Sequence, residues 1–255
     1  MRWRILVTPP LDGVDNMALD HALLDRARSG DEAVLRIYAW RGPTLSLGRN
    51  QPACGLYDVD EARRRDIGIV RRPTGGRALL HHREVTYSVT AAAASAPPRE
   101  SYARINRLLL DGLRRLGVDA ALAPPAGAAP PPSAAPCFET PAAGEVVAGG
   151  RKLIGSAQWR DRDALLQHGS ILVDDDQPVV AALTRVPVHT PPRPATLRNL
   201  LGRVPAVSEV AGALRASVAE NEDPAVGELA VDDGLAAAAR AHAEQYADDR
   251  WTWRR

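Results

Sequence analysis

The chain has 255 residues, of which 45% are hydrophobic and 25% charged, and its 32 basic against 31 acidic side chains leave a formal net charge of +1. That balance excludes a disordered or strongly basic chain, and the length fits one large domain or two small ones. No run approaches the roughly 18 consecutive apolar residues of a membrane span, the start MRWRILVTPP lacks the apolar core of a signal peptide, and two cysteines are too few for a disulfide framework, so a cytoplasmic protein is expected.

Trp3 to Val7 reads as a strand, and Asp15 to Ser29 as a helix with Met17, Ala18, Ala22, Leu23 and Ala27 at helical spacing before Gly30. Residues 34–40 and 44–49 flank Arg41-Gly42-Pro43 and predict a hairpin. Asp58 with Glu61 opens a short Arg-rich helix that Gly68 ends, and residues 67–72 form a strand. Residues 85–90 alternate as another strand. Ser101 to Leu116 is a helix with Tyr102, Ile105, Leu109, Leu113 and Leu116 on one face and Gly117 beyond. The Ala/Pro segment 121–136 cannot form a packed helix or central strand and reads as a mobile surface loop. Residues 145–159 predict two strands joined at Gly149-Gly150, with Lys152 beginning the second. After the polar turn 160–163, residues 165–173 make a third. A Pro-rich connection, 187–194, precedes helices introduced by Thr196, Ser208 and Gly234. Strands mixed with helices and joined by hairpins indicate an α+β fold, with a mixed, mostly antiparallel sheet packed with helices, here taken as a single domain over 1–255.

Only Lys152 among the 32 basic residues is a lysine; the other 31 are Arg. The Ala runs, 21 Pro and lone Phe point to a compositional drift that spared this lysine, a hint at a position where Arg, which cannot give up its proton, does not serve. Cys137 stands where the Ala/Pro segment meets the only Phe, Phe138, a place that leaves a thiol both accessible and positioned for acyl transfer. An ammonium near it would favour the thiolate, and the amine could later act as a base. On spacing alone, Cys137 reads as a buried inert thiol and Lys152 as a solvated charge.

Arg71-Arg72-Pro73-Thr74-Gly75-Gly76-Arg77 places two glycines and three guanidinium groups at a strand end, where backbone N–H groups and arginines can meet phosphate or carboxylate. It matches neither the GxxxxGK[ST] nor the GxGxxG loop, and Gly75-Gly76 alone reads as a turn. Cys54 reads as a small apolar residue. His81, His82 and His168 are candidate bases or oxyanion donors, although a strand-end His is more often structural. Arg63-Arg64-Arg65 reads as a wet helix face, or as a patch that steers an acidic partner. The cysteines and six His show no metal-ligand spacing. No interleaving of Trp and Tyr with a basic stripe supports a nucleic-acid role.

Several stretches together resemble the lipoate and octanoate transferases and ligases that share the biotin/lipoate protein ligase (BPL/LPL) catalytic-domain fold. They are NMALDHALL (16–24), LRIYAWRGPTLSLGRNQ (35–51), RRPTGGRALLHHREVTYSV (71–89), GRKLIGSAQ (150–158), LLQHGSILV (165–173), TLRNLLGR (196–203) and WTWR (251–254), in the family's order over almost the whole chain. Within the family the likeness is to the LipM-type octanoyltransferases. CFETP (137–141) followed by GRKLIGSAQ is similar to the stretch where those enzymes place a nucleophilic Cys and a Lys that lowers its pKa. Arg77 stands in GGRALLH, where ATP-dependent ligases usually have a third glycine and Asp-Gly-Asn. Taken as a whole chain, 255 residues leave no room for the further C-terminal domain of many ligases. The LipL-type amidotransferases look less similar around residues 75–82. One departure stands out: His82 occupies a position where the family usually has Asp.

The resemblance implies an acyltransferase that moves octanoyl from acyl carrier protein, through a Cys137 thioester, to a lysine of a lipoyl domain such as the glycine cleavage H protein or a 2-oxoacid dehydrogenase E2. Lys152 would lower the thiol pKa and serve as a base. The substrate would meet Arg72, Gly75, Gly76, Arg77, Leu79, His81, Ile154, Gly155, Ser156, Ala157, His168 and Gly169. Backbone N–H groups at Gly75-Gly76 or Gly155-Ser156 are candidates for the oxyanion. Leu79, Ile154 and Ala157 would line a tunnel in which each buried methylene contributes about 0.8 kcal/mol. No metal or cofactor is required, because the thioester arrives activated, and a monomer is expected. Two other readings stay open on the residues: an ATP-dependent lipoate or octanoate ligase with Cys137 incidental, and a non-catalytic acyl-carrier-binding module.

Overall fold

The computed structural model describes residues 1–93, 97–124, 138, 141–188 and 192–254; Cys137 and residues 125–136 of the Ala/Pro segment lie outside the described residues. In chain order the first elements are β1 (Arg2–Val7), α1 (Gly13–Ser29), β2 (Glu32–Tyr38), β3 (Thr44–Leu47), α2 (Val59–Arg64), β4 (Gly68–Arg71), β5 (Leu79–His81), β6 (Glu84–Ala92) and α3 (Pro98–Arg115). They are followed by β7 (Ala121–Leu122), β8 (Val146–Ala148), β9 (Arg151–Lys152), β10 (Ile154–Asp161), β11 (Ala164–Leu172), α4 (Pro178–Ala182) and α5 (Leu197–Leu201). The chain closes with α6 (Val207–Asn221), β12 (Gly227–Glu228), α7 (Asp233–Ala247) and α8 (Asp249–Thr252). Among the described residues no helix is long and apolar enough to cross a membrane.

Period-two alternation sorts the strands onto two faces. Trp3 and Ile5 of β1, Leu35 and Ile37 of β2, and Val85, Tyr87 and Val89 of β6 share one core with Ile105, Leu109 and Leu113 of α3 and Val210, Leu214 and Val218 of α6. The opposite face gives Leu6 and Val34 to α1 and to Leu235 of α7, and Tyr38 to Met17 of α1 and Tyr246 of α7. The result is a six-stranded sheet, β10-β11-β6-β2-β1-β12, between two helical layers. A second sheet, β4-β3-β5, packs its own core with Ala62 of α2 and Val180 of α4. A third, β7-β8-β9, carries the Lys152 hairpin. Three of the nine strand pairings, β1 with β12, β1 with β2 and β3 with β4, are parallel, and the rest are antiparallel, which is the mixed, mostly antiparallel α+β class expected.

Several local expectations hold. Asp58 and Thr196 cap α2 and α5, accepting from the N–H of Glu61 and Asn199. Gly149 and Gly150, at φ 55° and 72°, make the two-residue turn that pairs Val147 with Lys152. The turn at 160–163 narrows to Arg162-Asp163 between the paired Asp161 and Ala164.

Others are corrected. Residues 34–40 and 44–49 form no hairpin: β2 is flanked on both sides by β1 and β6, so Arg41-Gly42-Pro43 hands the chain to the second sheet. Asp66, at φ 55°, rather than Gly68, takes the left-handed position after α2, and Gly68 starts β4. Ala121 and Leu122, read as loop, pair with Val147 and Val146 at a sheet edge. Leu153 separates Lys152 from β10, so the strand predicted from Lys152 onward is shared between two sheets. The last long helices begin at Val207 and, capped by Asp232, at Asp233, not at Ser208 and Gly234.

Helix α7 is fixed to α1 by a polar joint. The His21 and His242 rings stack with centroids 3.8 Å apart, His242 Nε2 lies 2.6 Å from Asp25 Oδ2, and the Tyr246 hydroxyl is 3.1 Å from His21 Nδ1. Burial, then the neighbouring His242, pushes His21 down from 6.5 to about 4. An unfolded chain therefore takes up this proton near pH 6.5 while the folded protein resists it until near pH 4, and stability falls as pH drops through that window. Between pH 7 and 4.5, urea unfolding should show the wild type losing about 1–2 kcal/mol more than His21→Gln, after discounting for partial exposure; parallel pH profiles would contradict this.

Candidate active site

On the α1 side of the large sheet the strands turn polar. The Asp20 carboxylate accepts from Arg36 Nη1 at 2.8 Å, Ser88 Oγ at 2.8 Å and the Tyr38 hydroxyl at 3.0 Å, and His168 Nδ1 lies 3.2 Å away. Burial drives the Asp20 carboxyl up, but Arg36, His168 and Ser88 outweigh it and hold the group below the ordinary carboxylate range. Burial likewise keeps His168 below the usual imidazole value against the pull of Asp20. A neutral His168 then donates from Nδ1 to Asp20 and accepts at Nε2 from the Thr74 hydroxyl, 2.6 Å away. The glycine-containing loop is thereby tied to the sheet and to α1.

A second strut runs beside the first. His81 Nδ1 is 2.7 Å from Glu84 Oε1, its Nε2 is 2.8 Å from Ser46 Oγ, and its ring stacks on Trp40 at 4.0 Å. Trp40 Nε1 donates to Thr86 Oγ1 at 2.8 Å, and Thr86 donates on to Glu84. Both ring nitrogens of His81 and of His168 are engaged, so each ring ties separate segments of the chain together beside the cleft. His82 is half exposed with Nδ1 3.3 Å from Asp176, so this chain's departure from the family falls beside a carboxylate that pairs with Arg83.

The arginines of the loop bind the chain itself. Arg71 donates to the carbonyls of Gly48, Gln51 and Thr252 at 2.5–2.8 Å. Arg72 donates to Ser46, Gly75 and Arg77 carbonyls. Backbone crosses backbone here: a Cβ on Gly48 would stand 2.0 Å from the Gly76 carbonyl oxygen, and Gly76 itself, at φ 93°, lies against Arg72. Arg63 and Arg64 on α2 and Arg65 at its C-cap pair with Asp60 and Glu61 and stay exposed, the wet helix face expected from the sequence. Cys54 is exposed rather than a buried apolar residue.

Between the loop and β10 opens a cleft of about 410 Å³, part of it open to solvent, lined by Met17, Tyr38, Trp40, Arg72, Gly76, Leu79, His81, Thr86, Gly155, Ser156, Ala157, His168 and Gly169. Nine expected substrate contacts are thus brought together. Three are not. Ile154 points into the main core, because period two puts it on the opposite face from Gly155. Gly75 and Arg77 belong to the loop but not to the cleft wall.

Lys152 sits behind Gly155. Its Nζ is 2.9 Å from Glu145 Oε2, both side chains being 4% exposed, and 5.2 Å from the centre of the Phe138 ring. A Cβ on Gly155 would lie 3.2 Å from Phe138 and 3.3 Å from Lys152 Cε, so glycine there lets both approach the cleft wall. Phe138 is buried with Leu79 and Leu172. Cys137, its covalent neighbour, is outside the described residues. Glu145 also accepts from the Ala142 N–H at 2.7 Å, which braces the turn leading into β8.

Sequence reasoning missed Glu145, Asp20, Met17, Tyr38 and Trp40. The last four lie in stretches already singled out, but only the three-dimensional pairing of α1 with β2 gives them a role; Glu145 had a weak signal, its place in the strand that turns back on Lys152. Among the described residues His21, Asp25 and His242 alone gather three metal-type donors within 4.8 Å, and that group already serves as the α1–α7 joint.

The lipoyl protein ligase A/B catalytic domain matches residues 12–219. The chain is 40% identical over 233 residues to the octanoyltransferase LipM of Symbiobacterium thermophilum, covering 85% of each chain. It is 39% identical to that of Kyrpidia tusciae over an alignment of 275 positions covering 99% of each. Among solved structures, a lipoate-protein ligase A bound with ATP superposes with a TM-score of 0.82 at 24% identity over 99% of both chains. The bipartite lipoate protein ligase of Thermoplasma acidophilum gives 0.80 at 22%, over 99% of this chain and 96% of that one, and shares the fold. The chain belongs to the lipoyl protein ligase A/B catalytic-domain family.

Proposed function

We propose that this protein is an octanoyl-[acyl carrier protein]:protein N-octanoyltransferase of protein lipoylation, an acyltransferase working through a thioester on Cys137. The reading is supported by relatives bearing that activity in their name at 39–40% identity. The observation that carries it is the buried Lys152–Glu145 pair set against Phe138 at the wall of a largely apolar cleft. The donor is octanoyl-acyl carrier protein and the acceptor a lysine of a lipoyl domain, with no ATP, metal or other cofactor entering the reaction.

In the first step the Cys137 thiolate attacks the thioester carbonyl, the carrier sulfur departs, and the proton lost by Cys137 ends on the carrier thiol. In the second, the neutral acceptor amine attacks the enzyme thioester, the carbon–sulfur bond breaks, and the nitrogen proton ends on the Cys137 sulfur. Each step moves one proton between two sulfurs or from nitrogen to sulfur. Lys152, buried 2.9 Å from Glu145, is the group that gives a proton to the leaving sulfur and takes one back. Both steps pass through an oxyanion. Among the described residues β10 is the edge of the six-stranded sheet, and the N–H of Gly155 or Ser156, both lining the cleft, can donate to the oxyanion.

Incubation with octanoyl-carrier should give, by intact mass, an octanoyl adduct that hydroxylamine removes and that Cys137→Ala does not form. Full transfer by Cys137→Ala, or transfer that requires free octanoate and ATP, would contradict the proposal. Lys152→Arg keeps the charge but not the exchangeable proton, and should lower transfer by about 10²-fold or more. Near-normal rates would show that a positive charge alone suffices.

A further inference from the structure

The cleft joins two apolar clusters that belong to different parts of the fold. At one end Leu79 packs with Phe138 and Leu172, beside Lys152 and Gly155. Met17, Tyr38 and Trp40 also line the cleft and belong to a separate cluster with Val70 and Tyr246. An acyl chain whose carbonyl lies at the Lys152 end therefore runs towards Met17, Tyr38 and Trp40.

Two of those three side chains are pinned. Tyr38 is held by its hydroxyl bond to Asp20 and by the Arg36 guanidinium, 3.8 Å from the ring centre. Trp40 is held by its N–H bond to Thr86 and by stacking on His81. Met17, buried on α1, has no polar tether and carries an unbranched, adaptable thioether. Length selection needs a stop, and the only one of the three walls that can give or be recut without breaking a polar network is Met17.

We propose that Met17 is the residue that sets the acyl-chain length this enzyme transfers, with Tyr38 and Trp40 as fixed side walls. The inference rests on the octanoyl-transfer reading above. A flexible stop predicts graded discrimination: octanoyl best, decanoyl slowed but not refused. Each methylene that finds room in the cleft is worth roughly fourfold in transition-state binding, so two of them are worth more than about tenfold.

The test compares hexanoyl-, octanoyl-, decanoyl- and dodecanoyl-carrier as competing donors for wild type, Met17→Ala and Met17→Phe. Ratios of rates within one preparation do not depend on how much of a variant is folded. Met17→Ala should raise the decanoyl-to-octanoyl ratio by about tenfold or more, and Met17→Phe should shift the preference to hexanoyl. Length profiles of both variants that match the wild type would overturn the proposal while leaving octanoyl transfer intact. A wild type that transfers none of the four would instead remove the functional reading beneath it. If Met17→Ala does not fold, the Met17→Phe and a Met17→Leu profile decide the question in the same way.

Discussion

The fold turns on one buried ion pair. Arg36 and Asp20 are fully buried and 2.8 Å apart, and neither could sit there without the other. Removing one partner of such a pair leaves a stranded charge at a cost of about 3–5 kcal/mol. Satisfying Asp20 recruits Tyr38, Ser88 and His168 from three strands, so the helix that carries Met17 is locked to the sheet at a set depth and rotation. Through His168 the same carboxylate reaches Thr74, and through Thr74 the glycine-containing loop. The position of the cleft roof therefore follows from the charge beneath it.

The same logic separates residues that hold the site from residues that act in it. Arg71 and Arg72 have the chemistry of anion recognition, yet their guanidinium groups close a loop whose backbone would otherwise expose unpaired carbonyls. His81 and His168 have the chemistry of bases, and both nitrogens of each are also hydrogen-bonded into the scaffold that shapes the cleft. Behind the cleft wall at Gly155 lies Lys152, an amine with an exchangeable proton, buried against Glu145. A bare positive charge and a proton donor make different demands on that position, and a lone lysine among 31 arginines is consistent with the second.

Much of this is legible in the sequence. Hairpin glycines, helix caps and the apolar periodicity of α3 are local signals, and they located Lys152 beside a tight turn. The order of motifs pointed to the fold class, and the composition isolated Lys152. What failed were statements that depend on which strand neighbours which. The 34–49 hairpin was plausible locally and was lost because both sides of β2 were already taken. Ile154 looked like a tunnel residue until its register placed it on the core face. Asp20 and Glu145 stayed silent because a buried carboxylate is recognisable only through partners far away in sequence, here Arg36 and His168 for one and Lys152 for the other.

The central claim is that an acylated Cys137 lies at the Lys152 end of the cleft with its chain directed at Met17. A crystal structure of the octanoylated protein tests it most directly. The account predicts the Cys137 sulfur within about 6 Å of Lys152 Nζ, the range over which opposite charges shift a pKa, and the alkyl chain between Leu79 and Met17. An acyl group attached elsewhere, or a chain leaving the cleft on the side away from Met17, would contradict it.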